Sequence, residues 1–126
     1  MPLINEINKR RKIKEDLIQL LNKYSLELNK KFGKITLILF GSYARGDFNL
    51  WSDVDIIIIS DSFKNIRFLD RPYILPNLYY KISYSDIICW DYDEAKKMLL
   101  KNSWKDALKT SIIIRDDYNI FKNNYY

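Results

Sequence analysis

Two short apolar runs constrain this chain more than anything else in it: ITLILF at 35–40 and VDIIIIS at 54–60. Each is too short for a helix of its own, rich in β-branched residues and bounded by polar or turn residues, so each reads as a buried strand. A buried strand pair must be covered on its apolar faces by other elements. Yet the second run opens on Ser52-Asp53-Val54-Asp55, and two carboxylates around a single valine serve no packing purpose. The pair raises a chemical question.

The rest of the chain supplies the cover. Ile13, Leu17, Leu21, Tyr24 and Leu28 recur at spacings of three and four, which predicts one helix over about 8–31. Lys30 and Lys31 suit its last turn and Gly33 its stop. YYKISYSDIICW at 79–90 reads as a third strand. Asp91 and Glu94 form a capping-box pattern that opens a helix to about Asn102, and Ser103 with Asp106 is expected to cap a shorter one. SIIIRD at 111–116 reads as a last strand, and the tail is weakly specified. Between 61 and 79, Pro72 and Pro76 predict a short helix and irregular connection. Interspersed strands and helices place the fold in the α/β or α+β class, with one sheet covered on at least one face. At 126 residues the expectation is one domain spanning 1–126.

Several function classes fall away. There is no histidine, so the usual general base and the commonest transition-metal ligand are both missing. Cys89 is the only cysteine, which rules out an internal disulfide and suits a reducing, cytoplasmic setting. No apolar run approaches the ~20 residues of a membrane span, and the N-terminus lacks a signal-peptide core. The net charge of +5 favours an anionic partner: a nucleotide, RNA or an acidic protein face.

Asp53 and Asp55 share a face if the strand has begun. Two such carboxylates repel, and a hard divalent cation, Mg²⁺ or Mn²⁺, resolves the conflict with oxygen ligands alone. A solvated strand start would explain the pair as well. Asp86 stands as an acid within the third apolar strand, which is costly unless it is paired or metal-bound. If that strand lies beside the second, three carboxylates converge. Gly41-Ser42 follows the first strand directly, where glycine permits close backbone approach and a helix N-terminus offers N–H groups to phosphate oxygens. No Gly-Lys-Ser/Thr follows, so this is not a P-loop, and the glycines of GSYARG are too far apart for a dinucleotide fingerprint.

Taken together, the pattern Gly-Ser-x-x-x-Gly-x-x-x-x-x-Ser-Asp-x-Asp, met by Gly41, Ser42, Gly46, Ser52, Asp53 and Asp55, resembles the minimal nucleotidyltransferases of the DNA polymerase β-like superfamily. The core of the resemblance covers about 35–90, and SDIICWDYDEAKKML extends it. It implies a mixed sheet flanked by helices. It also implies transfer of a nucleoside monophosphate, AMP from ATP, to a hydroxyl with release of pyrophosphate. By the same resemblance Gly41 and Ser42 hold the triphosphate. Asp53 and Asp55 bind two Mg²⁺ ions, and Asp86 binds the catalytic one and takes the acceptor's proton. The family also implies a partner, a helical HEPN-type toxin modified on a tyrosine. A second copy of the chain is another way to complete so small a site.

Rival readings are a small-molecule nucleotidyltransferase like the aminoglycoside enzymes, a binding module that neutralises a partner by contact alone, and a basic RNA-binding protein, the last ranked below a protein partner. Arg45 is a candidate phosphate ligand or a surface residue tied to a loop acid. Tyr43 is expected to pack. KRRKIK at 9–14 is either an RNA contact or a solvated helix face. Trp51 is expected to anchor its loop, with contact to a base or partner as the other reading.

Overall fold

The computed structural model describes residues 2–77, 82 and 84–121. Helix α1 runs from Pro2 to Phe32, β1 from Thr36 to Phe40, α2 from Gly41 to Arg45 and β2 from Val54 to Ile59. Two short 3₁₀ helices, Asp61–Phe63 and Phe68–Ile74, lead to β3 (Ser85–Trp90), α3 (Tyr92–Leu99), α4 (Asn102–Ala107) and β4 (Ile112–Asp116). The strands form one mixed sheet in the order β3-β2-β1-β4, with β1 antiparallel to both β2 and β4, and β2 parallel to β3. The parallel step is bridged by the 3₁₀ segments.

The isoleucine run of β2 is apolar at every position because both faces of the sheet are covered. Leu37, Leu39, Ile56 and Ile58 pack with Leu21, Tyr24 and Leu28 of α1. Ile38, Ile57, Ile59 and Trp90 pack on the other face with Ala95, Leu99 and Leu108. Four central isoleucines, 56 to 59, are fully buried. At about 1.5–3 kcal/mol per buried aliphatic side chain, β1 and β2 supply a large share of the apolar stabilisation.

The helix begins six residues before the predicted start at about 8, and the apolar residues of its first three turns, Leu3, Ile4, Ile7 and Ile13, stay exposed; the first partly buried apolar residue is Leu17. Gly33 stops it as expected, at φ +77° with its N–H on the Asn29 carbonyl at 2.8 Å. The Asp91–Glu94 capping box is present in both directions, but α3 ends at Leu99. Ser103 is not a cap: α4 is entered through Lys101, with no side-chain cap, because the chain turns straight out of α3. The third strand is shorter than its composition implied, beginning at Ser85, and part of the expected run (79–81 and 83) lies outside the described residues. The Tyr pairs at 79–80 and 125–126 also lie outside them.

Two features invisible to periodicity hold the periphery. Arg71 is buried and bonds the Ile66 and Cys89 carbonyls, each at 3.0 Å, and the Glu94 carboxylate. One guanidinium thereby ties the 61–77 segment to β3 and α3. Asp116 accepts from Thr36 Oγ1 and from the Ile120 and Phe121 N–H groups, each at 3.0 Å, so the turn after β4 is pinned and Ile120 is buried. Among the described residues no helix is long and apolar enough to cross a membrane.

Candidate active site

The C-terminal end of β1 and the N-terminal ends of β2 and β3 meet at one edge of the sheet. The antiparallel pairing sets Phe40 opposite Asp55, and the parallel pairing sets Asp55 beside Asp86. Neighbouring strands lie about 4.8 Å apart, so the two carboxylates leave the sheet side by side. Alternation along β2 and β3 puts both on the face that carries Ile57 and Trp90, while Val54 and Ile56 face α1. Asp53 precedes the strand by one residue and is exposed.

The charges of the three act on one another. Asp55 is half-buried, and its carboxyl is held above the usual carboxylate range, first by burial and then by the charges of Asp86 and Asp53, with Arg45 partly offsetting them. The conflict expected from the sequence therefore falls on Asp55. Asp86 does not carry the cost expected for an acid inside an apolar strand, because it is the second residue of β3 and is exposed.

Gly41 explains itself by what stands opposite. Its φ is +72°, and a Cβ built on it would lie 2.1 Å from Asp55 Oδ2 and 3.0 Å from Asp55 Cγ. The backbone of the strand-to-helix turn is pressed against the Asp55 carboxylate, and only glycine leaves that space open. Ser42 follows in the first turn of α2, where no side chain caps the helix. Its leading N–H groups are therefore available to an anion.

The loop from Gly46 to Asp53 is braced by its own residues. Ser52 Oγ accepts from the Asn49 N–H at 3.0 Å, and Asn49 Oδ1 accepts from the Trp51 N–H at 2.9 Å. The motif serine thus shapes the turn that presents Asp53. Tyr43 packs as expected, stacked on Phe48 with ring centroids 4.0 Å apart. Trp51 is not a loop anchor: it is 90% exposed and its neighbour Leu50 is 96% exposed, since this tight turn projects both outward. Arg45 pairs with Asp47 at 3.1 Å, an exposed contact that leaves it able to turn toward an anion. Of the residues that the sequence did not single out, Arg71 fixes the Cys89 carbonyl of β3 and so steadies the strand carrying Asp86. Nothing in its local sequence, FLDRPYI, signals that role.

The donor set suits a hard divalent cation: oxygen only, anionic, with Asp55 paying for like charges that a cation would neutralise. Among the described residues no three such side chains are already drawn together as a finished metal cluster. The fit rests on charge and donor type. Asp55 and Asp86 would be the adjoining ligands and Asp53 the third.

Comparison with known proteins fits this geometry. A family model described as a nucleotidyltransferase domain matches residues 21–123. Two Methanocaldococcus jannaschii proteins assigned by name as protein adenylyltransferases are similar. One is 44% identical over 55 residues, covering 44% of this chain and 49% of the relative. The other is 36% identical over 70 residues, covering 54% and 47%. The chain thus spans about half the length of the curated relatives it matches. A crystal structure assigned as a nucleotidyltransferase from Sulfolobus solfataricus shares the fold at a TM-score of 0.51 and 23% identity, covering 86% of this chain and 85% of that one. With the family model spanning most of its length and its strand-edge carboxylates facing the Gly-Ser turn, this chain belongs to the nucleotidyltransferase domain family.

Proposed function

We propose that this protein transfers AMP from ATP to a hydroxyl of a protein partner, releasing pyrophosphate. The observation that carries the reading is the contact of Gly41 with Asp55, with Asp86 in register beside it. The uncapped start of α2 and Ser42 would hold phosphate oxygens of the triphosphate. Asp53, Asp55 and Asp86 would hold Mg²⁺, which supplies charge neutralisation for the triphosphate and the leaving pyrophosphate. Asp86, exposed at the lip, would accept the proton of the incoming hydroxyl. No covalent protein intermediate is needed, because phosphoryl transfer depends chiefly on positioning and charge.

A protein acceptor is favoured by the names of the two M. jannaschii relatives. The resemblance to minimal nucleotidyltransferases extends the proposal to a tyrosine of a HEPN-type helical partner, with this chain as the antitoxin. The test is to incubate the protein with labelled ATP, Mg²⁺ and the product of the adjacent gene, beside an Asp53→Asn, Asp55→Asn control. Label on the partner that is absent with the control supports the reading. A stable complex that never takes label from any nucleoside triphosphate would sink it in favour of neutralisation by contact.

A further inference from the structure

The exposed half of α1 is not merely a solvated face. Two grooves run along it and share Arg10. One, of about 210 Å³, lies between Arg10, Arg11 and Lys14 of α1 and Arg45 and Gly46 at the end of α2. The other, of about 330 Å³, is lined by Ile13, Tyr43, Phe48 and Leu50, with Lys9 and Arg10 at its side. Glu6 is the one acid lining either. Among the described residues, Arg10, Arg11 and Lys14 form no salt bridge, although Arg10 and Lys14 are half-buried. Unpaired cations gathered in one groove repel, and an anionic occupant would turn that cost into attraction. In the same grooves Ile7, Ile13 and Leu50 present apolar surface to water.

This surface borders the strand end that carries the carboxylates. Arg45 belongs to the helix that begins at Gly41, and its charge acts on Asp55. A third groove, lined by Ile13, Tyr43, Val54 and Tyr84 among others, shares Ile13 and Tyr43 with the second and reaches the start of β2 on the α1 face of the sheet, across the strand from Asp55.

We propose that this face of α1 docks an acidic, apolar segment of the acceptor protein and so delivers its hydroxyl to the site, an inference that rests on the protein-modifying reading above. Charge complementarity names the occupant. A nucleic-acid backbone would use the cations but not Ile7, Ile13 and Leu50, and the two aromatic rings of the groove stack on each other instead of forming a platform for bases. A second copy would bring the same basic face and the same +5 charge.

The test needs neither ATP nor metal. Three labelled helical peptides share one leucine stripe and carry Glu, Gln or Lys on the opposite face. Their binding to the whole chain is read by fluorescence anisotropy, beside Arg10→Glu, Lys14→Glu and the separately exposed Arg11→Glu. The Glu peptide is expected to bind best, to weaken with salt, and to lose about tenfold in affinity on the double charge reversal. The proposal is overturned if the Glu peptide does not bind, if the Lys peptide binds equally, or if the reversed variant binds the Glu peptide as the wild type does. It is also overturned if an oligouridylate displaces the Glu peptide and binds more tightly, or if sedimentation shows a dimer that the charge reversal dissolves. Failure here leaves AMP transfer untouched. Conversely, an Asp55→Asn chain inert in transfer should still bind the Glu peptide.

Discussion

Replacing Gly41 with alanine separates backbone strain from damage to the site. Gly33 and Gly41 have nearly the same conformation, φ +77° and +72°, but an added Cβ at Gly33 meets nothing within 4 Å. An alanine held in the left-handed region costs about 1–2 kcal/mol, and the stiffer unfolded chain returns about 0.4–1. Gly33→Ala should therefore lose about 1 kcal/mol and keep full activity. Gly41→Ala carries the same backbone term plus the collision with Asp55, whose Oδ2, Cγ and Cβ would lie 2.1, 3.0 and 3.3 Å from the new methyl. Swinging the short Asp55 side chain aside relieves most of it, for a further cost of about 1 kcal/mol in an unfavourable rotamer. The total, about 2 kcal/mol, leaves the fold intact. On the proposed reading the loss falls on transfer, because displacing a catalytic group by about 1 Å costs on the order of 100-fold in rate. The assay is transfer of labelled AMP at a temperature where circular dichroism shows both variants folded. Gly41→Ala at wild-type turnover would refute the argument that this glycine exists to admit the Asp55 carboxylate. Equal losses in both variants would refute it too, by assigning the effect to stability.

Three further outcomes follow from the same structure. Asp55 binds its proton more tightly folded than unfolded, so stability falls as pH rises from the ordinary carboxylate range through its raised value. Asp55→Asn should then melt above the wild type at neutral pH, with the gap closing in acid, while transfer is abolished; Mg²⁺ should raise the wild-type Tm and not that of the variant. Arg71→Met should cost about 2 kcal/mol by urea titration, since it strands two carbonyls and the partly exposed Glu94. Asp117 has the opposite sign from Asp55: burial works against its charge, but the Ile35 N–H at 3.0 Å, Arg115 and Asn29 outweigh it and hold the carboxyl below the usual range. Its stabilisation is present above the ordinary carboxylate range and is lost as pH falls, so Asp117→Ala should cost about 1 kcal/mol at neutral pH and almost nothing in strong acid.

The sequence by itself marked the strands and the carboxylates at their ends. Buried strands must be apolar on both faces, so the runs at 35–40 and 54–60 announced themselves, and the carboxylates stood out against them. Gly33 and the Asp91–Glu94 capping box were equally legible, because a helix end is satisfied by residues within a turn of it. What only the tertiary structure decided involves groups far apart in the chain. Strand pairing fixed that Asp86 adjoins Asp55 and that Asp55, not Asp86, bears the burial. The Arg71 staple, the Asp116-pinned turn and the outward throw of Trp51 leave no periodic trace, since each depends on which distant carbonyl or empty space lies opposite. Gly41 needed both kinds of information: its place after a strand was written in the sequence, but the carboxylate that forbids any larger residue there arrives from another strand.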